Sequence, residues 1–376
     1  MREKLIKKIV GLFLMIAIST GLVSCYEYKD INRITFATSM IFDENPVGDL
    51  EIYIDTMKPY RSSNDSSDKG KRIIYQGTGK TVAEAIKDIN MQASSNINFT
   101  QCKAYIFTEN VAKSGIRKYM DVINKNQQLM IKSYMFVLFG NPEELLTQVE
   151  GDEEYLGVYI DELVRKVEDN PRVIATNANT YLDARTNYNN LLVLGALQVK
   201  NSGEKKNLEL TGGALFKDEV MVTKISESEG MSYNFLTNNM KSGTLEAINP
   251  QDTNGFVTLE ITGAKTKTSL EYDGQRIKLF KNIKINCYIE ESQSRLLVNN
   301  DVLSLIEQEE EAIIKQYCNL VFGFYKDSDL DIVNVTRMFN QRFPNESLSA
   351  SPLAITDLEV TVDVKIEGSS ITSDTL

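Results

Sequence analysis

Gly79–Ile123, GKTVAEAIKDINMQASSNINFTQCKAYIFTENVAKSGIRKYMDVI, is the stretch whose reading decides the fold class. Thr81 is placed to cap a helix whose apolar residues Val82, Ala85, Ile86 and Ile89 recur at helical spacing, with Glu84 at the capping-box position. Residues 102–108, CKAYIFT, read as a buried strand, and a short helix from Glu109 and another over 116–125 follow it. Helices alternating with strands in this rhythm predict an α/β lobe whose sheet is covered on at least one face.

The flanks extend that pattern. Upstream, residues 30–42 (DINRITFATSMIF) feed a strand, Asp43 to Pro46 turn the chain, and LEIYIDT at 50–56 alternates with period two, which predicts a hairpin. Residues 61–72, RSSNDSSDKGKR, lack apolar side chains and read as a surface loop; Ile73 to Gln76 return to strand, and Gly77-Thr78-Gly79 read as a turn. Gly77 to Lys80 superficially suggest a phosphate loop, but the rest of that spacing is absent. Downstream, SYMFVLFG at 133–140 is the most apolar run after the N-terminal segment and is expected as a central strand. Asn141-Pro142 caps a helix with Glu143 and Glu144 in its first turn, where the helix dipole favours acids. Helical segments at 155–168 and 177–185 close this part.

Near residue 190 the texture changes. Strands at 191–199, 208–216 and 219–225 follow one another directly, which predicts antiparallel pairing, and a short capped helix over 226–236 comes next. FVTLEIT (256–262), KTKTSLEY (265–272) and RIKLFKNIKINCYIEE (276–291) are further strands, whose lysines are expected on the wet face. The longest amphipathic helix spans 302–324, with Leu305, Ile306, Ile313, Ile314, Tyr317, Leu320 and Val321 expected toward the core and Glu307 to Glu311 as a solvated face. A helix over 333–343 and a last strand, LEVTVDVKI at 358–366, finish the chain. The expected fold is mixed α/β (α+β): three lobes in series, each a mixed or antiparallel sheet with helices packed on it. Their expected limits are an N-terminal α/β domain at 25–189, a mainly β domain at 190–255 and a C-terminal α/β domain at 256–376.

The first 24 residues read as a lipoprotein signal peptide. Arg2, Lys4, Lys7 and Lys8 precede an uncharged apolar run over 9–22 that is short for a spanning helix, and Leu22-Val23-Ser24-Cys25 then resembles a bacterial lipobox before an abrupt polar switch. In that reading Cys25 is the lipidation site and first mature residue, carrying a diacylglyceryl group whose two acyl chains give stable attachment where one is marginal. An ordinary cleaved signal peptide with a chance cysteine, or an uncleaved anchor, are the alternatives.

Composition excludes much chemistry. The chain of 376 residues has no histidine, so Ser-His-Asp, Cys-His and HExxH sites are impossible. Its net charge is −11, and the segment ahead of Cys25 holds four cations against Glu3, leaving about −14 for the remainder, which disfavours nucleic acid and direct docking on anionic lipid. Cys102, Cys287 and Cys318 are scattered, with no metal or redox spacing, and argue against a disulfide scaffold. No cofactor is expected.

In order, these pieces resemble the Ger(x)C family, the lipoprotein C subunit of nutrient germinant receptors in endospore-forming bacteria. The resemblance runs over nearly the whole chain. Its most characteristic block matches at Ala85, Phe99, Lys103, Ala112, Gly115, Ile116 and Asp121, with Gln101 standing where the family usually has histidine. TGGALFKDEVM matches a Gly-x-Ala-x-Phe-Lys-x-Asp strand turn at Gly212, Ala214, Phe216, Lys217 and Asp218. Asp43, Asp331 and Pro344 fall on family positions, and the family's usual tryptophan beyond that proline is missing.

The resemblance implies a lipid-anchored body on the outer face of the inner spore membrane, beside membrane-embedded A and B subunits, acting in nutrient-triggered spore germination and not as an enzyme. Asp43, Asp218 and Asp331 read as turn and cap residues. A solute-binding lipoprotein delivering a small ligand to a membrane permease is the second reading; it calls for two similar lobes around a hinged cleft, the sequence has no internal repeat, and a lobe interface with converging polar groups would revive it. Hydrolysis of cortex peptidoglycan by paired carboxylates is a third.

Overall fold

The computed structural model describes residues 34–59, 70–126, 128–147, 155–167, 172–185, 191–202 and 205–369. Cys25 and the signal segment lie outside the described residues, as does most of the polar stretch at 61–72.

Strands β1 (Ile34–Glu44), β2 (Leu50–Lys58) and β3 (Lys71–Gly79) form an antiparallel meander, as the hairpin signal predicted. Helix α1 (Val82–Gln92) follows, its Thr81 side chain accepting from Glu84 N. After the short β4 (Asn96–Asn98), β5 (Ala104–Thr108) pairs parallel to β1. Helices α2 (Glu109–Ser114) and α3 (Arg117–Lys125) then carry the chain to β6 (Tyr134–Phe139), parallel to β5. Beyond β6 come α4 (Pro142–Thr147), α5 (Leu156–Val167), the two-residue β7 (Thr176–Asn177) and α6 (Ala178–Arg185).

The central strands of this sheet are buried on both faces, which parallel strands require. Alternate residues enter two cores: Phe42, Tyr105, Phe107, Met135 and Val137 join Val82, Ile89 and Tyr119 on one side, while Ile41, Ile106, Phe136 and Leu138 meet Leu156, Ile160 and Val164 on the other. Phe42 stacks on Phe107 with centroids 5.1 Å apart, and Tyr119 closes on both rings.

Gly77 and Gly79 belong to β3, and the turn expected there falls one residue later. The glycines serve close approach. A Cβ at Gly77 would stand 2.5 Å from Ile89 Cγ1 and closer still to the Ala85 carbonyl oxygen, so α1 can lie on β3 only where the strand is bare.

Sheet pairing crosses the boundary expected at residue 190. β8 (Leu191–Ser202) pairs parallel to β6, and β9 (Lys205–Lys217) and β10 (Val220–Ile225) continue antiparallel, giving the order β10-β9-β8-β6-β5-β1-β2-β3, with β4 on β1 and β7 on β6. β8 is apolar on both faces: Leu194 enters one core and Leu197 the other, so its run is satisfied only between neighbours inside a covered sheet.

The second sheet has the order β11 (Gly243–Asn249), β12 (Asp252–Tyr272), β13 (Ile277–Ser292), β14 (Thr356–Ser369), with β13 and β14 parallel. FVTLEIT and KTKTSLEY, expected as two strands, are one; a bulge between Ile261 and Gly263 absorbs the irregularity while pairing continues on both sides. Helix α7 (Glu227–Thr237) carries a full capping box from Ser226 and Glu229. The long helix α8 (Asn300–Asp327) and then α9 (Val335–Arg342) separate β13 from β14.

Three further expectations fail in this half. Lys281 is on the dry face, because strand parity places it with Ile277, Leu279 and Ile283; its Nζ donates to the Leu236 carbonyl at 2.6 Å and to Thr268 Oγ1 at 3.0 Å. On α8 the buried stripe is Val302, Ile306, Glu310, Ile314, Cys318, Val321, Phe322 and Tyr325, whereas Leu305, Tyr317 and Leu320 are more than half exposed. The helix has apolar residues on two adjoining stripes, and the sheet covers one. Glu307 to Glu311 is not a solvated face: Glu310 is 3% exposed, and Glu307 and Glu311 accept backbone N–H groups of β14.

The two sheets share a core. Val193, Leu215 and Ile225 of the first sheet and Phe235 of α7 belong to the same cluster as Leu245, Leu259, Ile285 and Val321 of the second half.

Candidate functional site

Two motifs about 100 residues apart in sequence meet at one corner of the first sheet. The β9–β10 turn places Asp218 and Glu219 at φ 54° and 68°. The Glu219 carbonyl accepts from Ile116 N at 3.0 Å. Gly115, at φ 108°, lets α2 end against this turn, its missing side chain facing Val220. Ala112, Ile116, Ala214 and Phe216 are fully buried beneath. The Gly-Ile corner and the Lys-x-Asp turn are therefore two halves of one contact, which sequence spacing could not reveal.

Around it sits a charge cluster. Glu219 accepts from the Tyr181 hydroxyl, lies 3.3 Å from Arg185 Nε through Oε1 and 3.5 Å from Arg117 Nε through Oε2; Arg185 Nη1 also donates to Asp121 Oδ1 at 2.7 Å. The Arg185 hydrogen bond holds the Asp121 carboxyl below its usual range, and the same bond raises Arg185. Burial, then the Glu219 hydrogen bond, pushes the Tyr181 phenol up. Arg117, Tyr181, Arg185 and Glu219, with Asp218, line a cavity of about 190 Å³. The carboxylates are engaged by cations and a phenol, so the cluster fixes a surface; Arg117, with 70% of its side chain exposed, is the member able to meet an outside partner.

The same turn reaches the second half. Lys217 Nζ donates to the Asp329 carbonyl at 3.1 Å, between α8 and α9. Asp331 caps α9, its two carboxylate oxygens accepting from Val335 N and Thr336 N at 2.8 Å each. Asp43 is not in the turn expected of it: it is the penultimate residue of β1, and its Oδ1 accepts from Thr108 Oγ1 at 2.6 Å. A cleft of about 470 Å³ opens between the halves, lined by Thr176, Asn239, Ser242, Asn334 and Arg337 among others.

Other singled-out positions are structural. Phe99 is buried and Gln101 exposed, while Lys103 Nζ stands 3.9 Å from Asp161 Oδ2. Cys102, Cys287 and Cys318 are free and buried, and burial pushes each thiol up to about 12. Asp55, which sequence reasoning passed over, is buried and accepts from Thr38 Oγ1 (2.6 Å), Leu156 N (2.9 Å) and Arg72 Nε, pinning α5 to the sheet. Its one signal, an acid inside the apolar alternation of LEIYIDT, was visible. Among the described residues no group of three or more Cys, Asp or Glu could hold a metal ion, and no helix is long and apolar enough to cross a membrane.

Comparison with known proteins gives consistent matches. Residues 27–198 match the family model described as spore germination protein N-terminal domain, and residues 211–370 match that described as spore germination B3/GerAC like, C-terminal. Spore germination protein GerQC of Bacillus cereus is 24% identical over 368 residues, covering 96% of this chain and 98% of the relative. Putative spore germination protein YfkR of Bacillus subtilis (strain 168) is 23% identical, over 58% of this chain and 57% of its own. The crystal structure of the GerBC protein superposes with a TM-score of 0.56 at 15% identity, over 87% of this chain and 96% of that one, which supports the fold.

Proposed function

The chain belongs to the Ger(x)C (GerAC-like) family of spore germination proteins, and we propose that it serves as the extracytoplasmic C subunit of a nutrient germinant receptor, lipid-anchored through Cys25 on the outer face of the inner spore membrane. In this reading it works beside membrane-embedded A and B subunits and catalyses no reaction. The chain-long family match carries the proposal. The shared core supports it as well, since two sheets joined by one hydrophobic cluster make a rigid body suited to presenting surfaces. The corner around Gly115, Asp218 and Arg117 is the surface we assign to partner contact.

The test is isolation of the full chain from spore membranes in detergent. Co-isolation of two multi-spanning membrane proteins is expected; repeated recovery of the chain alone, with controls intact, overturns the reading. The polar cleft between the halves is a feature that would revive the solute-binding alternative, and thermal stabilisation of the purified chain by a transported solute would favour it.

A further inference from the structure

A second cleft, of about 990 Å³, lies between α7, β11 and the middle of α8, and its volume is that of a small-molecule site. Met231, Phe235, Ile313, Ile314 and Tyr317 supply apolar wall. Glu310 stands in the same wall, 3% exposed, on the sheet-facing stripe of α8 between Ile306 and Ile314. Its Oε1 is buried and has no hydrogen-bond partner. Glu307 and Glu311 on either side are satisfied by β14 amides, so Glu310 alone of these three lacks a donor. A carboxylate left this way is costly to bury, and an apolar side chain would fill the stripe without that cost.

The other charged residues bordering the cleft are Arg172, Lys224, Glu227 and Glu246. Lys224 Nζ is directed to Gln198 Oε1 at 3.4 Å and over the Phe139 ring at 4.5 Å, and Glu227 accepts from Thr211 Oγ1. The donor that Glu310 lacks is therefore best supplied from outside.

We propose that this cleft binds a small organic cation, a primary ammonium on a short apolar body, which donates to Glu310 while its chain lies against Ile313, Ile314 and Tyr317. The overall charge of −11 favours approach of a cation. A carboxylate ligand would meet three acids, Glu227, Glu246 and Glu310, against the two cations Arg172 and Lys224, and a neutral alcohol would bring a donor without the charge. This site is separate from the corner assigned to partner contact, and its test is independent of the receptor reading.

The chain has no tryptophan, so Tyr317→Trp, at a position 53% exposed, places a single tryptophan in the same cleft wall as Glu310. The full chain carrying that substitution is titrated in detergent with n-butylammonium, 1-butanol and butyrate. A saturable emission change with butylammonium is expected, with the two controls weaker by tenfold or more. Adding Glu310→Gln is expected to weaken butylammonium binding by tenfold or more while circular dichroism is unchanged. A flat butylammonium titration, an equal response to 1-butanol, or binding that survives Glu310→Gln overturns the proposal. Should Glu310→Gln fail to fold, the ranking of butylammonium over 1-butanol decides it on the reporter chain alone.

Discussion

Glu307 Oε1 accepts the backbone N–H of Ile366 at 2.8 Å, and one helical turn on, Glu311 Oε1 accepts that of Val364 at 3.0 Å. β14 is the last strand of its sheet, and its outer amides would otherwise face solvent or another chain. Two carboxylates four residues apart on α8 thus act as a substitute strand. Charge-assisted bonds of this kind contribute about 1.5–3 kcal/mol each. Glu307→Ala and Glu311→Ala are each expected to lose that much in urea unfolding, with faster hydrogen exchange at 364 and 366, and the Gln variants to recover part of it. Unchanged exchange at both amides would sink the idea.

Glu310 makes stability fall as pH rises. Burial, with the Glu309 charge second, lifts its carboxyl from 4.5 to about 7. Below the unfolded value both states are protonated and ionisation adds no penalty; between that value and about 7 only the unfolded chain ionises, so folding is progressively disfavoured. Above it the penalty is complete, about 3 kcal/mol at most. Glu310→Gln is therefore expected to stabilise the protein more at pH 8 than at pH 5. Denaturant midpoints of both proteins at the two pH values check this; a difference independent of pH would count against it.

Lys281 carries the opposite charge and the opposite sign. Burial lowers its ammonium from 10.5 to about 8, against a favourable contribution from Asp331. The burial penalty is present in full below the folded value and fades as pH climbs through it toward the unfolded one. Relative to Lys281→Met, the wild type should gain about 1.4 kcal/mol per pH unit between pH 8 and 10. The measurement is again a pair of unfolding curves, and a flat difference over that range would contradict the assignment.

Gly77→Ala tests the approach of α1 to β3. The added methyl meets the backbone of Ala85 and the Ile89 side chain, neither of which can move without lifting the helix. A loss of roughly 1–3 kcal/mol is expected, of the size seen for overpacking, read as a drop in urea midpoint. Gly263→Ala, where an added Cβ meets nothing within 4 Å, is the control and should change stability little.

On the proposed lipid-anchor reading, Cys25→Ala is expected to abolish lipid attachment, release the chain from the membrane fraction and reduce nutrient-triggered germination, with the rest of the chain still folded. Membrane fractionation and labelled-palmitate incorporation check the first two effects. A variant that stays unlipidated yet germinates normally would make the anchor dispensable.

The sequence by itself determined the element types and most of their order. Thr81 and Ser226 announce helices because short hydroxyl side chains satisfy orphan amides locally, and SYMFVLFG announces an interior strand because no polar face interrupts it. Such signals are contained within a few residues, so one chain suffices to read them. The family motifs were equally legible as strings.

Only the tertiary structure decided how those strings are used. Nothing local says that the Gly115-Ile116 corner receives the Glu219 turn, that β8 joins β6 across the expected boundary, or which of two apolar stripes on α8 meets the sheet. Lys281 and Glu310 were misread for the same reason: a charged residue in an alternating or helical pattern is ordinarily wet, and it is dry here because a long-range neighbour, or the absence of one, sets its surroundings. Periodicity fixes which residues share a face. What covers that face is a property of packing, settled by partners that lie tens of residues away in the chain.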